Sequence, residues 1–357
     1  MNFFSDRGID ITCFLSGLKQ VILFGAGLAG ENALTTLNEN GIQVLFFCDN
    51  DTNKHGKNIN GIKIYPPSEL QKHQHETVLI SSNYFDEISS QLKKMSINKC
   101  YYFGFCFDFD RWHGHFNSVR LKESAPRIKL AHDLFADEAS RNLFTSLVQF
   151  RYTLGACGCK QSTFEEYFHP AVKPKQGDTI IDGGAWTGDT AEAIGRTLDG
   201  KCNIYSFEPE EHSYRNLQEK IVSENLLDCV YPVNLGLWSE TTTLRFDTSR
   251  KHSSQHKVSE SGACQIRVTS IDEFALDRNI EIDLIKMDIE GSEIEALRGA
   301  QKTIRKYGPR LQICSYHRFD DLWEIPILIK ELYPNYLLYL GHHTQNLFES
   351  IVYAHRI

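Results

Sequence analysis

No apolar run in this chain approaches the roughly 20 consecutive residues that a membrane-spanning helix needs, so no membrane span is expected. The opening MNFFSDRGIDITCFLSGLKQ places Asp6 and Arg7 where a secretory leader needs an unbroken apolar core, so no such leader is expected. Long basic runs are missing too, and the formal net charge is -8, which argues against nucleic acid as a partner. Cysteine occurs ten times but is not framed: Cys157 and Cys159 are the only close pair, and no second pair completes a zinc pattern. Several cysteines (Cys48, Cys202, Cys314) lie in apolar contexts, where the thiol behaves as a small hydrophobe. The expectation is a reduced, cytoplasmic protein. The chain shows no low-complexity segment and no internal repeat beyond two Rossmann-like halves. What remains is an ordinary apolar fraction, 41%, in 357 residues, a length that favours two domains.

The first hundred residues alternate strand and helix. QVILFGAG (Gln20–Gly27) reads as a strand entering a glycine turn, Leu28–Leu37 as a helix, and IQVLFFCD (Ile42–Asp49) as a second strand. Short strands follow at Ile62–Ile64, Glu76–Ser82 and Lys99–Gly104, with a helix at Asp86–Met95. Such alternation implies a parallel sheet. Residues 1–104 are therefore expected to form a Rossmann-like domain. An aromatic, irregular segment and helices at Leu130–Phe150 and Phe164–Phe168 make residues 105–170 a linker and helical segment.

A second alternation begins at Thr179, giving a third region, 171–357. DTIIDGGAWTGDTAEAI (Asp178–Ile194) is a strand, a glycine-rich turn and a helix; NIYSFEPE (Asn203–Glu210) is a strand ending at Glu208. CVYPVNLGLWS (Cys229–Ser239), IDLIKMDIEG (Ile282–Gly291) and RLQICSYH (Arg310–His317) supply three more, and Asn335–His343 with Glu349–Ile357 form a terminal hairpin. In open α/β sheets ligands bind beyond the carboxyl ends of the strands. Those ends deliver Asp182, Glu208, Asn234, Asp288, His317 and His342 or His343 to one rim, with Lys286, Glu290 and Glu293 close by. The charges clustered after a fully apolar strand thus read as an active-site edge.

The turn Asp182-Gly183-Gly184-Ala185-Trp186-Thr187-Gly188 lets a backbone approach a ligand, and the helix start at Asp189 offers free N–H groups. Glu208, ending the next strand, suits two ribose hydroxyls. NAD and S-adenosylmethionine both use such parts. The acidic strand end, Asn234 after the third strand and the closing antiparallel hairpin favour the methyltransferase version.

IKMDIEGSEIEALRGA resembles the signature of FkbM-type methyltransferases. FEPE, IIDGGAWTGDT and SYHRFDDLWEIPILIKEL (Ser315–Leu332) are similar to the same family in the same order, across roughly residues 136–357. The resemblance implies a class I doubly wound sheet, S-adenosyl-L-methionine as donor, and methyl transfer to a hydroxyl of a sugar or secondary metabolite. It maps Asp182, Gly184, Gly188 and Glu208 onto donor-binding positions and makes Tyr167, with Phe168, a cover for the donor. The full expected donor set is Tyr167, Asp182, Gly184, Trp186, Thr187, Gly188, Asp189, Glu208, Pro209 and Asn234. The expected catalytic set is His317, Asp288, Glu290 and Lys286, with His317 as base and no metal.

In the first domain, Gly25, Gly27 and Gly30 form a GxGxxG after a strand, with Asp49 at the next strand end. That is the dinucleotide fingerprint in its expected context, while FFCDNDTNKHGKNINGIKI resembles nucleotide-sugar-binding domains; NAD, a nucleotide or nucleotide-sugar that carries the sugar acceptor at this second nucleotide site, and a degenerate docking domain all stay open. His252 and His256, with Lys251 and Lys257, lie in a polar insertion that reads as a substrate-covering loop. The expected protein is a cytoplasmic O-methyltransferase of glycan or secondary-metabolite biosynthesis, and a homo-oligomer is compatible with it. Two alternatives stand beside it: an NAD(P)-dependent nucleotide-sugar oxidoreductase, and a non-catalytic nucleotide-sugar-binding adaptor.

Overall fold

The fold is that of a computed structural model, which describes residues 3–4, 8–155, 159–247, 257–258 and 264–357. Lys251, His252, His256 and Cys157 lie outside the described residues. Contacts divide the chain into two units. One comprises Met1–Pro126, Asn142–Gln161 and Thr344–Phe348; the other comprises Arg127–Arg141, Ser162–His343 and Glu349–Ile357. The segment 105–170 is thus shared between the units.

The first unit contains β1 (Gln20–Phe24), β2 (Gln43–Cys48), β3 (Asn58–Ile59), β4 (Ile62–Tyr65), β5 (Val78–Ile80) and β6 (Cys100–Tyr102). They form one sheet in the order β3-β4-β2-β1-β5-β6, parallel except for the β3–β4 pair. Val21 to Phe24 are all buried, as a parallel strand covered on both faces requires. Gly25 adopts φ 115°, and a Cβ there would fall 2.6 Å from the Ser81 carbonyl oxygen. A Cβ on Gly30 would fall 2.0 Å from the Gly25 oxygen, so the helix Leu28–Glu39 sits directly on the turn.

The second unit holds β7 (Thr179–Gly183), β8 (Asn203–Phe207), β9 (Val230–Val233), β10 (Gly236–Leu237), β11 (Thr242–Asp247), β12 (Lys257–Val258), β13 (Cys264–Thr269), β14 (Leu284–Met287), β15 (Arg310–Cys314), β16 (Tyr336–His342) and β17 (Ser350–Arg356). Seven of these make the main sheet, β16-β17-β15-β14-β7-β8-β9, with β17 antiparallel to both neighbours. The expected doubly wound sheet with a terminal antiparallel hairpin is present. Chain order reverses between β7 and β14, which places a crevice at their carboxyl ends.

Three local expectations give way. The third strand is broken: Val230–Val233 pairs at the sheet edge, where Pro232 is tolerated, while Gly236–Leu237 joins a separate four-stranded sheet, β10-β13-β11-β12. Leu130–Phe150 is two helices, Ala125–Leu134 and Glu138–Tyr152, because Phe135 bridges to Leu338 and Asp137 caps the second helix by accepting from Ser140 N at 2.6 Å. Phe164–Phe168 is not helical. Tyr167 has φ 62°, its N–H donates to Tyr353 Oη, and its carbonyl accepts from Gln312 Nε2 at 2.7 Å. Strand side chains therefore satisfy this backbone in place of a helical ladder.

Candidate functional site

Under the crevice lies a buried ion pair. Lys286 Nζ is 3.0 Å from Asp182 Oδ1, with side-chain exposures of 2% and 0%. Adjacent parallel strands in register, Lys286 beside Asp182, bring the two together. Lys286 also donates to the carbonyls of Gly183 and Gly184, and Ser206 Oγ donates to Asp182 Oδ2 at 3.1 Å. Burial works against the ammonium, but the Asp182 and Asp288 carboxylates outweigh it and hold the lysine above its ordinary range. Gly184 (φ 73°) packs so closely on the next strand end that a Cβ would fall 1.8 Å from the Asp288 oxygen.

Above this pair is a cavity of about 210 Å³. Gly184, Trp186, Asp189, Glu208, Pro209, Lys286, Asp288 and Glu290, all expected from the sequence, line it. Leu237, Ile266, Val268 and Ile289 add apolar walls. Glu208 is buried. Its Oε2 accepts from Trp186 N at 3.0 Å and its Oε1 from Glu210 N at 2.9 Å. Burial pushes its carboxyl up to about 7 against those two backbone donors.

The remaining expected donor residues stand behind the walls. Asp182 is fully buried under Lys286, and Gly188 supplies a left-handed N-cap (φ 91°) to the helix Asp189–Thr197. Thr187 Oγ1 donates to Asp189. Asn234 Nδ2 donates to the Glu208 carbonyl at 3.1 Å, so it braces the loop that carries the acid. Tyr167 is buried with its hydroxyl 3.5 Å from Cys314 Sγ and its ring 5.3 Å from Lys286 Nζ.

His317 does not line the cavity. It is buried behind Asp288, with Nε2 3.2 Å from Asp288 Oδ1 and Nδ1 2.9 Å from Glu293 Oε1. Glu290 Oε2 is 3.8 Å from Nε2. Burial opposes a charge on the ring, but Glu293, Glu290 and Asp288 outweigh it and hold the imidazole protonated well above its usual range. In turn Asp288, against the effect of its burial, is held well below the ordinary carboxylate range by His317 and Lys286. Asp288, Glu293 and His317 offer ligand atoms within 4.8 Å of one another, close enough for a metal ion. Both ring nitrogens face carboxylates on opposite sides, however, and a doubly protonated imidazolium satisfies that arrangement.

The apolar walls were the part missed by sequence reasoning. Ile266 and Val268 project from β13 at a spacing of two residues, inside a segment read as a polar insertion. The alternation in CQIRVT was the available signal.

In the first unit, Gly25, Gly27, Leu28, Asp49, Lys54 and Tyr84 line a separate cleft. A Cβ on Gly27 would meet nothing within 4 Å, so that side of the turn is open. Asp49 is already engaged: Oδ2 accepts from Ala26 N at 2.8 Å and pairs with Lys54, and Oδ1 accepts from Asp51 N.

Residues 182–348 match the family model described as the methyltransferase FkbM domain, and residues 17–101 match one described as C2185-like, N-terminal. The chain is similar in fold to the crystal structure of a methyltransferase FkbM from Methylobacillus flagellatus KT. That match has a TM-score of 0.71 and 19% identity, covering 97% of this chain and 92% of the other. A S-adenosylmethionine-dependent O-methyltransferase from Thermotoga maritima aligns at TM-score 0.32 and 10% identity, over 54% of this chain and 68% of that one. UDP-D-quinovosamine 4-dehydrogenase from Vibrio fischeri aligns at TM-score 0.21 and 28% identity, over 24% and 76%. No curated protein matches the chain. The family-model match, on a chain with this sheet order, makes the protein a methyltransferase with S-adenosylmethionine as its donor. The matched residues 182–343 lie in the second unit. Among the described residues no helix is long and apolar enough to cross a membrane.

Proposed function

We propose that this enzyme methylates a hydroxyl oxygen of a sugar in glycan or secondary-metabolite biosynthesis, with Asp288 facing the acceptor. The observation that supports this most is the acid-rich end of the cavity, where Asp288 and Glu290 can accept hydrogen bonds from a polyhydroxylated molecule. The donor-side residues fit S-adenosylmethionine: Glu208 suits ribose hydroxyls, Leu237, Ile266 and Val268 suit a flat purine, and the carboxylates suit a cation. When bound, S-adenosylmethionine supplies an electrophilic methyl group that an acceptor oxygen takes in a direct displacement. Lys286 and His317 keep Asp288 ionised and oriented. His317 therefore positions Asp288 rather than serving as base, since an imidazolium has no lone pair for a proton. Methyl incorporation on a panel of free sugars, nucleotide-sugars and amines tests the reading; transfer to nitrogen alone would overturn it.

Two expectations attach to Glu208. Glu208→Ala removes a charge-assisted acceptor and should weaken S-adenosylmethionine binding by on the order of 2–3 kcal/mol, roughly 30- to 150-fold in Kd. Calorimetry reads this directly, and an unchanged Kd would remove Glu208 from the donor site. Ribose hydroxyls prefer the ionised carboxylate, whose pKa in the free protein is about 7. Donor affinity should then fall as pH drops below that value and level off above it.

For the first unit we propose a pyrophosphate at the free N–H groups of the helix Leu28–Glu39, approached over the open side of Gly27. Asp49 shapes the adjoining loop and is not left free for a ribose. Full-length protein should bind a UDP-sugar, and Gly27→Val should abolish that binding by filling the open side. Equal binding by the variant would discard the site.

A further inference from the structure

Methyl transfer to a hydroxyl sets one proton free, and Asp288 is a poor final resting place for it because Lys286 and His317 stabilise its ionised form. A second acidic group lies immediately beyond. Tyr316, buried between β15 and the following turn, has its hydroxyl 3.3 Å from Asp288 Oδ1 and 3.4 Å from Glu349 Oε1. Glu349 directly precedes β17, whose first residue receives the chain leaving β15 through the Ser315 N–H to Ser350 carbonyl bond at 2.8 Å. It therefore stands on the same rim as Asp288. Glu166 and Glu349 neighbour one another closely enough for each to shift the other's affinity for a proton. Two carboxyl groups held together do not ionise independently, and the second proton is the harder to remove.

We propose that Glu166 and Glu349 form a proton-sharing carboxyl pair that gives up its proton when the cationic donor binds and recovers one from the acceptor hydroxyl during transfer, by way of Asp288 and Tyr316. This rests on the donor and acceptor assignment above. The balance closes. The S–C bond breaks with its electrons left on sulfur, an O–C bond forms, and the acceptor's O–H proton passes to Asp288. Tyr316 takes that proton on its oxygen while releasing its own to Glu349. The proton lost to solvent on donor binding equals the net proton of the reaction.

The electrostatic setting supports the pair. Glu349 is pushed up to about 9, by burial first and then by Asp288 and Glu166; His317 opposes the shift. Glu166 is raised, chiefly by burial and also by Asp288, while Glu349, Lys286 and Tyr167 lower it. Buried Cys314, the last residue of β15, is held neutral by the same burial and by Asp288, Glu349 and Glu166. A cation placed beside Asp288 acts on this whole cluster and lowers the affinity of the pair for its shared proton.

The test needs no acceptor. At a pH of about 8, Glu208 is ionised in the free protein and the pair still holds its proton. An infrared band of a protonated carboxyl should be present in the full-length protein and vanish in both Glu349→Gln and Glu166→Gln. Calorimetry in buffers of different ionisation enthalpy should then show that S-adenosylmethionine binding releases about half to one proton more than S-adenosylhomocysteine binding. That excess should disappear in either variant while both compounds still bind. Binding of both compounds with equal proton release, or an excess that survives Glu349→Gln, overturns this inference alone. If neither compound binds, the donor assignment falls and the inference falls with it.

Discussion

Lys286→Met is expected to destabilise the second domain by about 3–5 kcal/mol. The reason is the partner left behind. Asp182 is fully buried at the end of β7, and Ser206 Oγ, its other polar neighbour at 3.1 Å, carries no charge. Removing the ammonium leaves a carboxylate to be either protonated or kept ionised without compensation, and both cost free energy. The carbonyls of Gly183 and Gly184 lose a donor at the same time. Denaturant midpoints for the wild type, Lys286→Met, Asp182→Leu and the double variant read the coupling. The double variant should be much more stable than the sum of the single losses predicts, because it removes both charges together. A single-variant loss below about 1 kcal/mol would show that water reaches the pair.

The sequence made the rim legible because strand ends and glycine turns are local signals. Asp182, Glu208 and Asp288 each follow a buried apolar strand, and parallel registers carry that alignment into space. Gly184 was legible for the same reason, since a glycine there permits the approach of two strand ends. Roles depend on something else, the groups packed behind each side chain, and sequence does not encode that locally. Asn234 stands at a strand end as expected, yet it turns back to brace the Glu208 loop. His317 ends β15 as expected, yet Glu293, contributed by a helix start, takes its Nδ1 side and fixes its charge. Glu349 and Glu166 escaped notice entirely, because Glu349 adopts φ 57° at a hairpin and Glu166 lies in a segment read as helix. In the first unit Asp49 fits the strand-end pattern, but the turn it helps to build consumes both of its oxygens.

His317→Gln should separate a positioning histidine from a catalytic base by its dependence on pH. In the folded protein the imidazole binds its proton well above the usual value of 6.5, because Glu293, Glu290 and Asp288 outweigh its burial. A raised folded-state pKa contributes stability that is fully present below the unfolded value near 6.5, and that contribution is lost as pH rises through the folded value. The neutral glutamine can satisfy one carboxylate by hydrogen bonding but cancels no charge, so Glu293, which is fully buried, loses its counter-charge and Asp288 keeps only Lys286. The variant should therefore be about 3–5 kcal/mol less stable than the wild type near neutral pH, and the gap should narrow in alkali. Nitrogen-15 spectra of the histidine side chains give the independent readout: at a pH of about 8 the His317 ring should carry protons on both nitrogens. A neutral tautomer at that pH would return His317 to the role of base, and Asp288 would then orient it. If instead the ring is an imidazolium and the stability gap closes only in alkali, the proton of the acceptor has no lone pair to meet at His317, and the carboxylates of the rim must take it.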